Sequence, residues 1–364
     1  MIDMLDCTDG RGIKIDEQYV DAPAKVILNV SNTVFKTEEK AAIIVKSKAG
    51  AEINLNNVDI TEVAADNINA VWVDEDCAEF YDNVIVNGAT KFLEGSQLVT
   101  SLEELEEKLE AAGAAGAGNT TIVISSDINM TGQTWTPIKV DGYNGADIVT
   151  VLGNNKTISG LTAPLFAGGF AGGSGIVIKD LTIDNSNIVS TNTLGSGAFI
   201  ESVDSMDEIT LINCHVKNST ITGGAGSRTG GLIGWTAGYN NVNDGPVKTY
   251  VTIQNCSVIK CTITCDGSVG GIYGHAGNNA WTYSLVENCT VKDCILNSTD
   301  DGSWRVGVVV GTANVGELTI SNITESGNTL TQTGKTAPEG QSNLYGRFVP
   351  GSTGKLIIDG VEIK

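Results

Sequence analysis

The stretch Asn255–Cys265, NCSVIKCTITC, places three cysteines in eleven residues, and Asn288–Cys294, NCTVKDC, repeats two of them at the same spacing. Cysteines at short spacing occur in zinc sites and disulfide frameworks, and also as small apolar residues in repeated strands. The asparagine before the first cysteine gives an anchor for comparison with the remaining chain. Internal self-similarity of this kind is the sequence signature of a repeat fold.

The anchor recurs along the second part of the chain. Its copies are Asp180, Asn213, Asn255, Asn288, Asn322 and Asp359, at intervals of 33, 42, 33, 34 and 37 residues. An aliphatic residue precedes each anchor by two positions, and the residues around it alternate between apolar and polar. This period of two predicts short strands with one buried face, and asparagine suits the bend between them because it tolerates left-handed backbone. The stacked copies therefore predict a parallel β-helix.

A second column consists of glycines around a short apolar core. It comprises GGLIG at Gly230–Gly234, GGIYG at Gly270–Gly274, GVVVG at Gly307–Gly311 and the degraded copy YGRFVPG at Tyr345–Gly351. Glycine allows sharp backbone turns, so we interpret the column as a further strand of each coil with a turn at both ends.

The first hundred residues follow the same rules. Asn32, Asn57 and Asn87 act as anchors, with companion strands at Ala41–Val45 and Asn69–Val73. A helix is predicted within 100–118, where Ser101 and Glu104 form a capping-box pattern and Leu102, Leu105 and Leu109 form an apolar stripe. An amphipathic helix covers the exposed strand edges at the end of a solenoid, so we interpret it as a cap.

The predicted fold is all-β: a right-handed, single-stranded, pectin-lyase-like parallel β-helix in two consecutive arrays separated by a short capping helix. Residues 1–95 form the last coils of a first β-helix, 96–118 the linker and helix, and 119–364 the second β-helix.

The composition restricts the kinds of partner that the chain is expected to bind. The net charge of −21, from 43 acidic and 22 basic residues, argues against a nucleic-acid partner because phosphate contacts need a basic face. No stretch approaches the roughly 20 apolar residues of a membrane span, so no membrane insertion is expected. The opening residues MIDMLDCTDG lack the pattern of a signal peptide, which leaves a cytoplasmic protein or an export segment further upstream. We expect a monomer.

Several motifs resemble a known family. LGNNKTISGLT at Leu152–Thr162, GIVIKDLTIDNSNI at Gly175–Ile188 and the recurring TGGLIG, VGGIYG and RVGVVVG are similar to bacterial surface proteins with GLUG-type repeats on a pectin-lyase-like β-helix. The front part resembles β-helix regions of secreted proteins from gut Bacteroidetes. The resemblance implies export and a non-catalytic, adhesion-like or glycan-binding role, and it supplies no catalytic motif.

An enzyme acting on polysaccharide is the alternative function. Lyases of this fold use clustered carboxylates that hold calcium and an Arg or Lys base, whereas hydrolases need a carboxylate pair. The best fragments are His275 and STDDGSWR, with Asp300, Asp301 and Arg305, but their order differs from that of polygalacturonases. We interpret the two aspartates as a solvated turn. No cofactor is predicted, although VDEDC at Val73–Cys77 offers three acids for calcium. A structural stalk is the second alternative.

Two insertions leave the glycine column at the same corner, Trp235–Gly245 and His275–Tyr283. On neighbouring coils they would form one surface of aromatic rings and amides, which suits sugar stacking and hydroxyl recognition. The alternative is that each aromatic ring packs its loop onto its own coil. The predicted ligand-binding residues are Trp235, Tyr239, Asn240, Asn241, His275, Asn278, Asn279, Trp281 and Tyr283.

The cysteines themselves fall into rows. Cys214, Cys256 and Cys289 follow three anchors, while Cys261 and Cys294 occupy a second row that elsewhere holds Ser186, Ser219 and Asn328. Rows along the axis do not converge as the four ligands of a zinc site must. We therefore expect buried free thiols, with disulfides between neighbouring coils as the alternative.

Overall fold

The structure is a computed structural model. It describes residues 2–3, 12–16, 24–37, 41–63, 71–89, 91–140, 147–167, 169–170, 174–241, 245–277, 281–349 and 354–363, of which 2–3, 62, 169–170, 239–241 and 245–246 are described by backbone only. The chain divides into two compact units, Met1–Leu98 with Val123–Ser125, and Val99–Ile122 with Ser126–Lys364.

The strands before the helix are short and pair in parallel, as the apolar alternation predicts. They are β1 (Ile2–Asp3), β2 (Ile13–Asp16), β3 (Val26–Ser31), β4 (Val34–Thr37), β5 (Ile43–Lys46), β6 (Ala51–Asn56), β7 (Asp59–Val63), β8 (Val71–Val73), β9 (Val84–Asn87), β10 (Lys91–Leu93) and β11 (Gln97–Val99). Three parallel sheets run β1-β4-β7, β2-β5-β8-β10 and β3-β6-β9. A 3-10 segment, Glu75–Asn83, precedes β9.

The helix α1 (Leu102–Gly113) begins at the predicted cap. The backbone N–H of Glu104 donates to Ser101 Oγ at 3.2 Å. The Glu104 carboxylate bonds to the N–H and the hydroxyl of Thr100 at 2.6 and 2.8 Å, one residue earlier than the capping box implies. Leu105 and Leu109 are fully buried, which confirms the apolar stripe.

The second unit contains most of the remaining strands. They are β12 (Thr120–Ile124), β13 (Ile128–Asn129), β14 (Ile148–Ser159), β15 (Gly169–Phe170), β16 (Gly175–Asp184), β17 (Asn187–Val189), β18 (Ile200–Asp204), β19 (Glu208–Ile212), β20 (His215–Lys217), β21 (Thr220–Gly230), β22 (Ile233–Ala237), β23 (Tyr239–Asn241), β24 (Gly245–Val247), β25 (Thr249–Gln254), β26 (Ser257–Ile259), β27 (Thr262–Gly270), β28 (Tyr273–Ala276), β29 (Thr282–Glu287), β30 (Thr290–Lys292), β31 (Ile295–Ser298), β32 (Val306–Gly307), β33 (Val310–Ala313), β34 (Glu317–Ser321), β35 (Thr324–Ser326), β36 (Thr329–Gln332), β37 (Tyr345–Phe348), β38 (Lys355–Ile358) and β39 (Val361–Ile363).

These strands form the faces of an all-β parallel β-helix. The main sheet carries β16, β19, β25, β29, β34 and β38 side by side, with the short strands β20, β26, β30 and β35 continuing it beyond the first bend. A second sheet orders β17-β21-β27-β31-β36, and a third orders β15-β18-β22-β28-β33-β37. Most strands of these sheets pair in parallel with their equivalents one coil later, as β25 does with β29, and five of the six aliphatic residues before the anchors are fully buried.

Five of the six predicted anchors, Asp180, Asn213, Asn255, Asn288 and Asn322, are the first bends of the coils, whereas Asp359 forms with Gly360 the turn of the antiparallel hairpin β38–β39. All six adopt left-handed backbone, with φ between 45° and 57°. Asn213 Nδ2 donates to Asp180 Oδ1 at 2.6 Å, so part of the predicted amide ladder is present. The prediction of bends at these positions is confirmed, because asparagine and aspartate accept this conformation at low cost.

A second bend, which was not predicted from the sequence, follows five residues after each of these five first bends. Its positions also have positive φ, and they are Asn185, Asn218, Lys260, Asp293 and Gly327. Four different residue types occupy these five positions, so no common residue marks the second bend. The three-residue strands between the two bends explain why the cysteine rows lie where they do.

The prediction that Asn87 is an anchor of the first unit is wrong. Asn57 donates to Asn32 at 2.8 Å, as neighbouring anchors should. Asn87, however, pairs in register with Asn54 and donates to it at 2.7 Å, so it belongs to another row. The residue after it, Gly88, has a positive φ. The register-equivalent residues Asn29, Asn54 and Asn87 are 25 and 33 residues apart, so the coils of this unit differ in length and the anchor spacing is not constant.

The glycine column also has a different role from the one predicted. Gly230 ends β21, Gly231 and Leu232 form a corner, and Ile233 begins β22, so the motif spans a junction between two sheets. Gly231 has no positive φ. A Cβ at this position would lie 2.1 Å from the carbonyl oxygen of Gly271 on the next coil. Glycine is required there because the coils approach closely.

All seven cysteines within the described residues are free and buried: Cys77, Cys214, Cys256, Cys261, Cys265, Cys289 and Cys294. The prediction of free thiols is confirmed for these residues. Their Sγ atoms contact carbonyl oxygens, as between Cys256 and Leu211 at 3.4 Å. Burial raises the pKa of the Cys256 thiol, which keeps it protonated and unreactive.

Candidate functional site

The two predicted insertions leave the third sheet from neighbouring strands. Trp235 on β22 pairs with His275 on β28. The N–H of Gly238 donates to Thr282 Oγ1 at 3.0 Å, and the N–H of Thr249 donates to the Trp281 carbonyl at 3.0 Å. The two insertions therefore begin side by side, and the start of the first contacts the end of the second, because parallel strands of adjacent coils release their loops side by side.

The centres of the insertions are described only in part. Tyr239, Asn240 and Asn241 form β23, which pairs with β24 in an antiparallel ribbon. Only the backbone of these three residues is described. Asn278 and Asn279 lie outside the described residues. The binding role of these five residues remains a prediction.

Trp235 lies in the packed part of the coil. Its exposed fraction is 6%, and the Arg228 guanidinium carbon lies 5.9 Å from its ring centroid. Its Nε1 atom is buried and has no hydrogen-bond partner. The ring therefore presents no face to solvent, which agrees with the packing alternative for this residue.

Tyr283 forms an aromatic platform with Tyr250, which the sequence analysis did not identify. The two rings stack with centroids 5.6 Å apart and planes 24° apart, and Tyr250 is 51% exposed. Lys248 Nζ lies 5.4 Å from the Tyr283 ring centroid. The register places Glu208 beside Tyr250 and Glu317 beside Tyr283 on the main sheet. We call Lys248, Tyr250 and Tyr283 the tyrosine platform.

A cleft between the second and third sheets brings together residues that are far apart in sequence. Three successive coils stack Arg228, Ser268 and Arg305 at the end of the second sheet. Three successive strands of the third sheet stack His275, Thr312 and Arg347. Ser268 Oγ and Thr312 Oγ1 are hydrogen-bonded at 2.7 Å, which joins the two rows. We call these six residues the arginine cleft.

The arginine cleft encloses a cavity of about 230 Å³. Its lining comprises Gly226, Arg228, Gly267, Ser268, His275, Arg305, Thr312, Asn314, Arg347 and Val349. Arg305 Nη1 lies 3.3 Å from Asp300 Oδ2, and Asp300 Oδ1 accepts from the N–H of Gly302 at 3.0 Å. Asp300 therefore lies in a turn, as predicted, but it is ion-paired and its Oδ2 atom is buried, so only Asp301 of the predicted solvated pair is exposed.

Burial and three nearby cations together lower the pKa of His275. Burial, followed by the charges of Arg228, Arg305 and Arg347, lowers the pKa of His275 to about 3. The imidazole is therefore neutral at pH 7, and its buried Nε2 atom has no hydrogen-bond partner. Burial and the charge of Arg305 also lower the pKa of Arg228.

A signal for this cleft was present in the sequence. The chain contains four arginines, and three of them lie in or next to the glycine column, in GSRTGG, SWRVG and YGRFV. From the sequence, Arg305 was predicted only as a fragment of a catalytic motif, and His275 was predicted both as such a fragment and as part of the surface formed by the insertions. These residues lie close together because of the register in which neighbouring coils pair. That register cannot be predicted from the sequence because the loops between the strands vary in length.

The acidic cluster proposed for calcium has a cationic partner. Lys46 Nζ lies 3.2 Å from Asp74 Oδ1 and 2.5 Å from Asp76 Oδ2. Asp74 Oδ1 also accepts from the N–H of Asp76 at 3.0 Å, as a helix cap does. In the part of the chain that the structure describes, no group of three or more His, Cys, Asp or Glu side chains is arranged to hold a metal ion.

Comparisons with known proteins add little about activity. Neither a protein-family model nor a curated protein matches the chain. Among solved structures the chain is similar to a Bacteroides ovatus protein proposed as an immunoglobulin A1 protease, with 15% identity and a TM-score of 0.46, over 74% of this chain and 79% of that one. A likeness this distant says nothing about what this chain does. Within the described residues, no helix is long and apolar enough to cross a membrane.

Proposed function

We propose that this chain is a non-catalytic, adhesion-like β-helix protein, exported to the surface of a bacterium, that binds a glycan as a monomer. The observation that carries the proposal is the tyrosine platform, two stacked rings beside the insertions of neighbouring coils. Export and the GLUG-type resemblance come from sequence motifs and belong to the same proposal.

The chemistry of the platform suits a sugar ring. Exposed aromatic faces pack against the apolar faces of sugars, while nearby polar groups bind the hydroxyls. Here Glu208 and Glu317 flank the rings in register, and the Lys248 ammonium lies over one of them. Both tyrosines stand on paired strands, so little conformational entropy is lost when a ligand binds.

Burial of the free cysteines is compatible with export. Oxidising compartments convert accessible thiols to disulfides, whereas a buried, protonated thiol is inert. Cys214, Cys261 and Cys289 are no more than 1% exposed. These residues therefore support the proposal without requiring a reducing environment.

A glycan array followed by titration calorimetry tests the proposal. We expect Tyr250→Ala and Tyr283→Ala each to weaken binding at least about tenfold, or about 1.4 kcal/mol, because a stacking face is lost. Tyr250→Phe keeps the ring and should retain most of the affinity. Wild-type and Tyr283→Ala proteins with the same array profile would contradict the proposal.

The same samples address the polysaccharide lyase or hydrolase alternative. Incubation with acidic and neutral polysaccharides, with and without calcium, should release no shorter saccharides if the protein only binds. Release of unsaturated or reducing ends by the wild type would establish an enzyme instead. A protein that neither binds nor cleaves would favour the structural stalk.

A further inference from the structure

The arginine cleft has no part in the proposed glycan contact. The tyrosine platform lies on the main sheet, whereas the cleft lies between the other two sheets. We propose that the arginine cleft is a binding site for an oxyanion, a carboxylate, sulfate or phosphate group of a small acidic ligand. The arginines of the cleft bind the negative charge of the ligand, and its histidine and hydroxyl groups fix the orientation of the bound group.

The charge distribution is the first reason. The chain has 43 acidic residues against 22 basic ones, yet three of its four arginines converge on one cavity of about 230 Å³. The described residues include no carboxylate in an ion pair with Arg228 or Arg347, and only Arg305 has such a partner, Asp300. The three positive charges repel one another in this cavity, and solvent only partly screens the repulsion. An anion bound between them lowers this repulsion energy.

The planar, fork-shaped arrangement of N–H donors on each guanidinium group is the second reason. A guanidinium presents parallel N–H groups that match the oxygens of carboxylate, sulfate and phosphate, and such charge-assisted bonds are stronger than neutral ones. Arg228 uses one of these groups on the carbonyl of Leu194, at a long 3.5 Å. Most of its donors are therefore free for a ligand.

The unpaired histidine nitrogen is the third reason. His275 lines the cavity, and its Nε2 atom is buried without a partner among the residues that the structure describes. A buried polar atom without a hydrogen bond costs about 1–3 kcal/mol, so native proteins retain one mainly where a ligand or water completes it. In the tautomer with a proton on Nε2, the ring donates to an anion oxygen.

The shape of the cavity limits the ligand to a small group. Its volume of about 230 Å³ is below the roughly 300–1,000 Å³ of pockets for drug-sized molecules. Ser268 and Thr312 supply hydroxyls on neighbouring strands. Gly226 on the rim has no neighbouring atom within 4 Å of a Cβ placed there, so the rim is open at this point. A single charged group of a small acidic ligand fits such an opening.

Binding is measured by calorimetry and by thermal shift, with sodium sulfate, phosphate, acetate and methyl glucuronide as probes. Methyl glucoside and sodium chloride at matched ionic strength are the neutral and simple-ion controls. We expect saturable binding of the oxyanion probes, and tighter binding of methyl glucuronide than of acetate if the natural ligand is an acidic sugar. Equal responses to methyl glucoside and methyl glucuronide would overturn the proposal, as would no saturable response to any oxyanion.

Matched variants locate the site. Arg347 is exposed and has no ion pair, so Arg347→Gln should fold normally and weaken oxyanion binding about 10- to 100-fold, the loss expected for a charge-assisted hydrogen bond. Lys292→Gln removes the same charge from an exposed position on β30 and should leave binding unchanged. Equal weakening by both variants would mean a general charge effect and would refute the site.

The ring of His275 gives a readout that a structural role would not change. The chain has only two histidines, so a His215→Gln variant assigns the His275 ring signal in a nuclear magnetic resonance spectrum. Saturating sulfate should shift that signal and leave the His215 signal in place. An unmoved His275 signal would overturn the proposal, and because the tyrosine platform is intact in all these proteins, glycan binding is judged independently.

Discussion

The buried histidine of the cleft makes the protein sensitive to acid. His275 has a pKa of about 3 in the folded protein and an ordinary value of 6.5. The folded pKa is the lower one, so the unfolded chain takes up the proton first. Stability contributed by the neutral ring is therefore complete above about pH 6.5 and declines as the pH falls from 6.5 towards 3.

The size of the effect follows from linkage. Each pH unit within this window costs about 1.4 kcal/mol, so His275 should remove about 2 kcal/mol of unfolding free energy between pH 7.5 and pH 5. The groups facing the ring are Arg228, Arg305 and Arg347, with Asp300 paired to Arg305. These groups are common to wild type and variant, so their contribution cancels when the two are compared.

The comparison is between wild type and His275→Gln, which keeps a polar side chain that does not titrate. Urea unfolding at pH 7.5 and pH 5 should show a smaller acid loss for the variant, by about 2 kcal/mol. His215→Gln is the matched control: burial also lowers the pKa of His215, but Asp180 opposes this and the ring is hydrogen-bonded to Ser257 at 2.8 Å. Equal acid losses in wild type and His275→Gln would refute the reasoning, as would a His275 ring that titrates near 6.5.

Three further predictions concern the scaffold. Gly231→Ala should destabilise the protein by about 1–3 kcal/mol in urea unfolding, since its Cβ would lie 2.1 Å from Gly271 O and 2.7 Å from Val258 Cγ2. Asn255→Val places a β-branched residue at φ 57° and should cost about 1–2 kcal/mol, whereas Asn255→Gly should unfold at nearly the wild-type midpoint. Cys256 should resist alkylation in the native protein and react after denaturation without reductant, as mass spectrometry can show; a requirement for reduction would mean a disulfide.

The fold could be predicted from the sequence to a large extent, because its determinants are local. A polar residue in left-handed backbone between two alternating strands identifies each first bend, and five first bends of the second unit were predicted in this way, whereas Asp359 proved to be a hairpin turn. The second bends were missed because Lys260 and Asp293 carry no signal that distinguishes them from strand residues. Asn87 was misplaced because coil length varies in the first unit.

The candidate site was predicted only in part. Neighbouring insertions were expected to approach one another, and Gly238 and Thr282 are hydrogen-bonded at their bases. Exposure could not be predicted: Trp235 looked like a sugar-stacking residue but is 6% exposed, and Tyr250, which is 51% exposed, was not identified. Both tryptophan and tyrosine are amphipathic, so residue type alone does not determine whether such a ring packs inward or faces solvent.

The sequence by itself therefore determined that the chain is a stack of short parallel strands, that its cysteines are buried in rows and that its bends recur near every 33–42 residues. Only the tertiary structure decided which side chains meet across the stack. Arg228, Arg305 and Arg347 are separated by 77 and 42 residues. They converge because paired coils lie about 4.8 Å apart, and the register of that pairing depends on loop lengths that no local pattern records.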